Sequence, residues 1–217
     1  METTKTNKPQ HLYGLYAITP CSPHKPLSIS QLTALVENAI QGGARIVQYR
    51  EKYLAPAQRR QQARVLKTLC DHQKVYFLIN DDVALAAEVQ ADGVHLGRDD
   101  TSLTQARQVL GKNAIIGVSC YNQLQRARDA QQQGADYAAF GRFFPSESKP
   151  EAQQAQLGLL QQARSELSIP LACIGGINAD NAKLLISAGA DMVAVINSVF
   201  AAPDVADAAR QISKLFD

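Results

Sequence analysis

The chain has 217 residues, 46% of them hydrophobic and 19% charged, which is ordinary globular composition and argues against disorder, collagen or a long coiled coil. Its 22 Lys and Arg against 20 Asp and Glu leave a net charge of +2, without the basic stripe that a nucleic-acid binder displays. No apolar run approaches the ~20 residues of a membrane helix, and the opening METTKTNKPQH lacks the apolar centre of a signal peptide, so a cytoplasmic protein is expected.

Residues 1–11 read as a disordered tail, and 12–217 as one catalytic domain. From there, short β-rich runs alternate with longer Ala/Leu/Gln-rich runs of helical spacing. Strands are predicted at 13–19 (YGLYAIT), 45–50 (RIVQYR), 75–81 (VYFLIND), 93–97 (GVHLG), 115–120 (IIGVSC), 136–142 (DYAAFGR), 170–176 (PLACIGG) and 192–197 (MVAVIN). Helices are predicted near 30–41, 56–72, 83–90, 102–110, 122–133, 153–167, 180–188 and 204–216. The strands are short and apolar on both faces, as in a parallel sheet covered by helices. Four related segments, QGGARIV (41–47), VQADGVHL (89–96), QQGADYA (132–138) and SAGADMV (187–193), each lead into an even-numbered strand. Glycine there ends the preceding helix in the left-handed conformation. Four βαβα quarters point to an α/β fold, a single (β/α)8 TIM barrel. An open doubly wound sheet would want a Gly-rich fingerprint after the first strand, and YGLYAITP has none.

A barrel carries its active site at the C-terminal ends of its strands. Gathered there are Gln48, Arg50 and Lys52 after the second strand, Asn80 and Asp81 after the third, and His95 and Asp100 on and after the fourth. Ser119 and Arg142 end the fifth and sixth strands, the loop FFPSESK follows, and Gly175, Gly176, Ile196 and Asn197 close the set. Asp81 and Asp100 on adjacent loops suit a hard divalent cation such as Mg2+, which takes one or two carboxylates, waters and phosphate oxygens. The competing reading is helix capping by Asp81 or Asp82 and by Asp99 or Asp100. Gly175-Gly176 with Ile196-Asn197 matches the place where barrels hold phosphate on backbone N–H groups, and a tight turn that needs glycine is the plainer alternative. Gln48, Arg50 and Lys52 alternate and share a face. Two cations in a barrel mouth call for an anion, here a diphosphate. Ser146, Ser148 and Lys149 offer small donors and a cation on a loop able to close over an anionic substrate. His95 reads as a general acid/base or as a packed core residue. The cysteines at 21, 70, 120 and 173 form no CxxC pair, so free thiols are expected, with Cys120 and Cys173 buried. The whole describes a Mg2+-dependent barrel that faces a diphosphate with a monophosphate.

The motifs VQYREK (47–52), LINDD (78–82), ADGVHLGRDD (91–100), IIGVSC (115–120), GADYAAFGRFFPSESK (134–149), IGGI (174–177) and GADMVAVINSVF (189–200) together resemble the thiamine phosphate synthase family. The resemblance implies a transferase of thiamine biosynthesis. It would condense hydroxymethylpyrimidine diphosphate with hydroxyethylthiazole phosphate, giving thiamine phosphate and pyrophosphate through a pyrimidine carbocation. It implies that Gln48, Arg50, Lys52 and Asn80 hold the pyrimidine diphosphate and that Asp81 and Asp100 ligate Mg2+. Ser119 would meet the diphosphate or the pyrimidine amino group, with His95 nearby, and Lys149 would reach the pyrophosphate. Ser146 and Ser148 stand for the family's threonines. Gly176, Ile196 and Asn197 would surround the thiazole phosphate. Departures are Arg142, often proline in the family, and Asn197 in place of serine. The family also implies a homo-oligomer whose partners are small phosphorylated molecules. The nearest alternative is a thiazole tautomerase-like paralogue, whose members tend to lose the metal and diphosphate residues. An isomerase barrel explains only the last two strands, and a binding-only sensor has no support in the residues.

Overall fold

All eight predicted strands form, and they close on one another in chain order. The computed structural model describes residues 12–145 and 154–217, so the tail over 1–11 and Ser146, Ser148 and Lys149 lie outside the described residues. The strands are β1 (Gly14–Ile18), β2 (Ala44–Tyr49), β3 (Tyr76–Asn80), β4 (Gly93–Leu96), β5 (Ile115–Tyr121), β6 (Tyr137–Gly141), β7 (Leu171–Ile174) and β8 (Met192–Val195). Every neighbouring pair is parallel, and β8 returns to β1 through Gly14↔Met192 and Tyr16↔Ala194. Between and after them lie α1 (Ile29–Gln41), α2 (Pro56–Gln73), α3 (Val83–Glu88), α4 (Leu103–Leu110), α5 (Leu124–Gln132), α6 (Leu157–Glu166), α7 (Ala182–Ser187), α8 (Asn197–Phe200) and α9 (Val205–Ser213).

Side chains alternate across each strand and build two cores. Leu15, Val47, Phe77, Val94, Ile116 and Phe140 face outward, where the helices cover them. Tyr16, Ile46, Leu78, Ile115, Tyr137, Ala172 and Met192 fill the barrel interior. The helices supply the matching stripes. In α1, Leu32, Val36 and Ala39 are buried at spacings of four and three, and Ser28 with Gln31 forms a capping box. Proline opens α2 at its first position, where its missing N–H costs nothing.

Several predicted ends move, among them the seventh strand, which stops at Ile174 before the two glycines, and the helix expected over 153–167, which runs over Leu157–Glu166. Asn197 and Ser198 do not extend the eighth strand; β8 stops at Val195 and Asn197 opens the one-turn α8. An apolar, β-branched run such as VINSVF cannot be divided between strand and helix by periodicity. The helix expected over 204–216 splits into α9 and a 3-10 turn, Lys214–Phe216. Among the described residues there are therefore nine α-helices rather than eight.

The repeat before the even strands does more than end helices. Asp92, Asp136 and Asp191 each donate their own N–H to a carbonyl of the preceding strand, on Phe77, Ile116 and Leu171, and accept that residue's N–H on Oδ2 at 2.8 Å. These reciprocal pairs stitch β3–β4, β5–β6 and β7–β8 at the end of the barrel away from the expected site. Gly134 and Gly189 precede two of them with φ near +88° and +110°. In the second quarter no glycine stands at the helix end, and Gln90 takes the left-handed conformation instead. Arg107 pairs with Asp136 at 2.6 Å and also donates to the carbonyls of Ala114 and Gly134. Asp136→Ala is expected to leave a charge-assisted bond and a strand N–H unmade, at about 2–3 kcal/mol. The melting temperature should fall by about 5–10 °C, with no effect on the rim at the opposite end of the barrel.

Candidate active site

The β3–α3 and β4–α4 loops bring Asp81 and Asp100 together and release both from capping. Asp82, not Asp81, caps α3, accepting the Leu85 N–H and pairing with Arg59. Ser102, not Asp99 or Asp100, caps α4. Asp81 sits at φ +64° in a three-residue turn closed by Asp82 N–H on the Asn80 carbonyl at 2.7 Å. Such a turn is strained for a non-glycine residue. It aims the Asp81 carboxyl within hydrogen-bonding reach of Asp100, which is itself held by the Gly97 N–H at 2.6 Å. Burial pushes the Asp81 carboxyl above the ordinary range, the neighbouring Asp100 pushes it further, and Lys52, 3.7 Å away, opposes both. Two carboxylates crowded this way are short of positive charge. Among the described residues no group of three or more His, Cys, Asp or Glu side chains assembles. A cation here would take two protein carboxylates and fill its remaining positions with water or phosphate oxygens, which is how Mg2+ is usually held.

Arg50 and Lys52 follow β2 on the same rim. The Arg50 backbone N–H is anchored on Thr19 Oγ1 at 2.8 Å, and its guanidinium lies 3.0 Å from the Cys21 thiol. Among the described residues no carboxylate pairs with the guanidinium, which leaves its charge for an anionic ligand. Cys21 is half-buried and Cys70, Cys120 and Cys173 are buried, all four as free thiols. Burial raises the last three, Cys70 and Cys120 to about 12, which leaves them inert as nucleophiles.

Beneath the rim, polar side chains line the barrel interior. Gln48 is fully buried, and its Nε2 donates to Tyr16 Oη at 2.5 Å. Tyr16 Oη is 2.8 Å from Tyr137 Oη, which is 2.8 Å from His95 Nδ1, and His95 Nε2 is 2.9 Å from Ser119 Oγ. His95 is therefore one member of a hydrogen-bonded chain crossing from β2 to β5. Glycine makes that chain possible: a Cβ on Gly117 would stand 1.9 Å from Tyr137 Cζ.

On the far side, Gly175 and Gly176 have φ +104° and +65°. A Cβ on Gly175 would lie 2.2 Å from Arg142 Cβ, and one on Gly176 would lie 2.2 Å from the Pro145 carbonyl. The glycines thus let the segment after β6 pack against the β7–α7 loop, a use beyond the backbone approach to an anion expected from IGGI. Ile196 precedes α8, and Asn197 at its first position is exposed. Arg142 follows β6 directly, and its buried Nε has no hydrogen-bond partner among the described residues.

The structure thus brings Gln48, Ser119 and His95 into one network and Asp81, Asp100 and Lys52 into another. Sequence reasoning missed Tyr16, Tyr137 and Arg126. The tyrosines sit inside runs that read as plain core strand. Arg126 lies on α5 and donates to the carbonyls of Ser119 at 2.8 Å and Gly97 at 3.3 Å, tying the Asp100 loop to the end of β5; nothing in its local pattern marks it.

Residues 15–199 match the family model described as thiamine monophosphate synthase. The chain is 49% identical over 212 residues to the thiamine-phosphate synthase of Thioalkalivibrio sulfidiphilus, covering 98% of this chain and 99% of that one. It is 51% identical over 207 residues to that of Nitrosospira multiformis, covering 95% and 87%. The solved thiamine phosphate pyrophosphorylase of Pyrococcus furiosus superposes with a TM-score of 0.83 at 33% identity, covering 94% of this chain and 95% of that one. A closed eight-stranded barrel, two released aspartates on neighbouring loops and similarity along nearly the whole chain agree: this chain belongs to the thiamine monophosphate synthase family.

Proposed function

We propose that the chain condenses hydroxymethylpyrimidine diphosphate with hydroxyethylthiazole phosphate to give thiamine phosphate and pyrophosphate, with Mg2+ as its cofactor. The observation that carries the reading is the Asp81–Asp100 pair, freed from capping and crowded beside Lys52. When bound, Mg2+ supplies positive charge to the departing diphosphate. Arg50 and Lys52, with Lys149, meet the remaining negative charge. Gln48, Asn80, His95 and Ser119 hold the pyrimidine at the mouth of the barrel. Gly176, Ile196 and Asn197 hold the thiazole phosphate, and Ser146 and Ser148 contact the substrates.

The chemistry asks for positioning and charge stabilisation. The methylene C–O bond breaks, and the bonding pair leaves with pyrophosphate. The thiazole nitrogen then donates its lone pair to the pyrimidine methylene cation, forming the C–N bond. That nitrogen carries no hydrogen, so no proton has to be removed and no general base is needed. Fixed cations around the diphosphate lower the barrier to departure, and two facing anion sites hold the reactants in line.

Arg50→Ala tests the division of labour. Calorimetry should show pyrimidine diphosphate binding weakened at least about tenfold, the value of one charge-assisted hydrogen bond, with thiazole phosphate binding unchanged. Equal losses for both ligands would refute the assignment of β2 to the diphosphate.

A further inference from the structure

We propose that Tyr137 is a positioning residue that holds His95 as its Nε2–H tautomer and so leaves the Ser119 hydroxyl hydrogen free for the substrate. The direction of the buried chain follows from its first member. The Gln48 amide nitrogen has hydrogens and no lone pair to offer, so at 2.5 Å Tyr16 Oη must accept. The Tyr16 hydrogen cannot return to that nitrogen, and its other partner is Tyr137 Oη at 2.8 Å. Tyr137 Oη accepts it and turns its own hydrogen to His95 Nδ1, also at 2.8 Å. A neutral imidazole that accepts at Nδ1 carries its hydrogen on Nε2. That hydrogen points at Ser119 Oγ, 2.9 Å away. Ser119 accepts, and its own hydrogen has no acceptor among the described residues.

Two further observations support a fixed chain. Both phenols are fully buried and pushed up by that burial, so each keeps the single hydrogen the relay needs. The rings are also locked. Tyr16 meets Tyr137 edge-on with centroids 6.0 Å apart, and His95 stacks on Tyr137 at 5.6 Å and 21°. Gly117 provides the space for this arrangement. The chain then ends in two different chemistries: the Gln48 Oε1 acceptor on β2 and the Ser119 O–H donor on β5. A 4-aminopyrimidine offers an amino donor and ring-nitrogen acceptors, which complements that pair. This last step rests on the pyrimidine reading given above; the hydrogen-bond direction does not.

Long-range 1H–15N spectra of the 15N-histidine-labelled full chain, recorded where the imidazoles are neutral, test the proposal. His95 is assigned by the signal lost in His95→Gln. The expected wild-type result is a protonated Nε2 and a bare Nδ1. In Tyr137→Phe, which removes one oxygen and keeps the ring, the Nδ1 signal should move toward the protonated position. Tyr137→Phe should also raise KM for the pyrimidine diphosphate about tenfold and leave KM for the thiazole phosphate unchanged. Combined with Ser119→Ala, it should add nothing further, since both remove the same contact. A wild-type Nδ1–H tautomer, or an unshifted Nδ1 in Tyr137→Phe, overturns the proposal. An Nε2–H tautomer in a protein that does not turn over the pyrimidine diphosphate leaves the chain's direction intact and refutes the function reading alone.

Discussion

Asp81→Ala is expected to lower Mg2+-dependent pyrophosphate release by about 10^2–10^3-fold, the loss of several kcal/mol of charge stabilisation at the leaving group, in a protein that still folds. The fold should survive because Asp82 and Ser102, not Asp81 and Asp100, cap α3 and α4. The free protein should in fact gain stability. Burial and Asp100 raise the Asp81 carboxyl in the folded state, so folding favours its protonated form. That contribution is present below the ordinary carboxylate range and is lost as pH rises through the raised value. Asp81→Asn removes the loss, and without metal it should melt at or above the wild type at neutral pH. Mg2+ reverses the preference by favouring both carboxylates ionised. Wild-type activity at limiting Mg2+ should therefore fall as pH drops through the raised Asp81 value and recover on adding metal. Normal activity with a normal metal requirement in Asp81→Ala would refute the ligand assignment.

Gly176→Ala should harm both stability and one substrate. At φ +65° an alanine pays a left-handed backbone penalty of about 1–2 kcal/mol. Its Cβ would also press on the Pro145 carbonyl at 2.2 Å and the Phe144 backbone carbon at 2.9 Å, neither of which can swing aside. Together with ordinary overpacking this amounts to about 2–4 kcal/mol, or a melting temperature lower by about 5–15 °C. KM for the thiazole phosphate should rise more than KM for the pyrimidine diphosphate, whose residues, Lys149 excepted, lie on β2 to β5 and the loops that follow them. A variant with a raised thiazole phosphate KM and an unchanged melting temperature would show that the glycine serves the anion alone and not the packing of the segment after β6.

The barrel was legible because its signals are local and repeated. Each strand is a two-sided apolar run bounded by turn residues, and four quarters restate the same helix end. The rim was legible through residue type, since cations, carboxylates and glycines stood where strands end. Four things were hidden for physical reasons. Which aspartates cap and which face the site depends on a strained turn at Asp81, and two adjacent Asp letters look alike. Tyr16 and Tyr137 lie among apolar neighbours, and only the closure of the barrel shows that their hydroxyls meet across it. The glycines of IGGI read as an anion cradle, whereas the packing of Arg142 and Pro145 against them depends on a neighbouring loop far away in sequence. Arg126 likewise acts on two carbonyls brought together only by the fold.

The measurement that bears most directly on the central claim is pyrophosphate release by the purified full chain given both precursors and Mg2+, with one control containing EDTA and another lacking the thiazole phosphate. The account predicts release that needs the metal, accompanied by an equal amount of thiamine phosphate. Absence of product, together with conversion of a thiazole carboxylate phosphate tautomer, would contradict it and place the chain's activity with the paralogue.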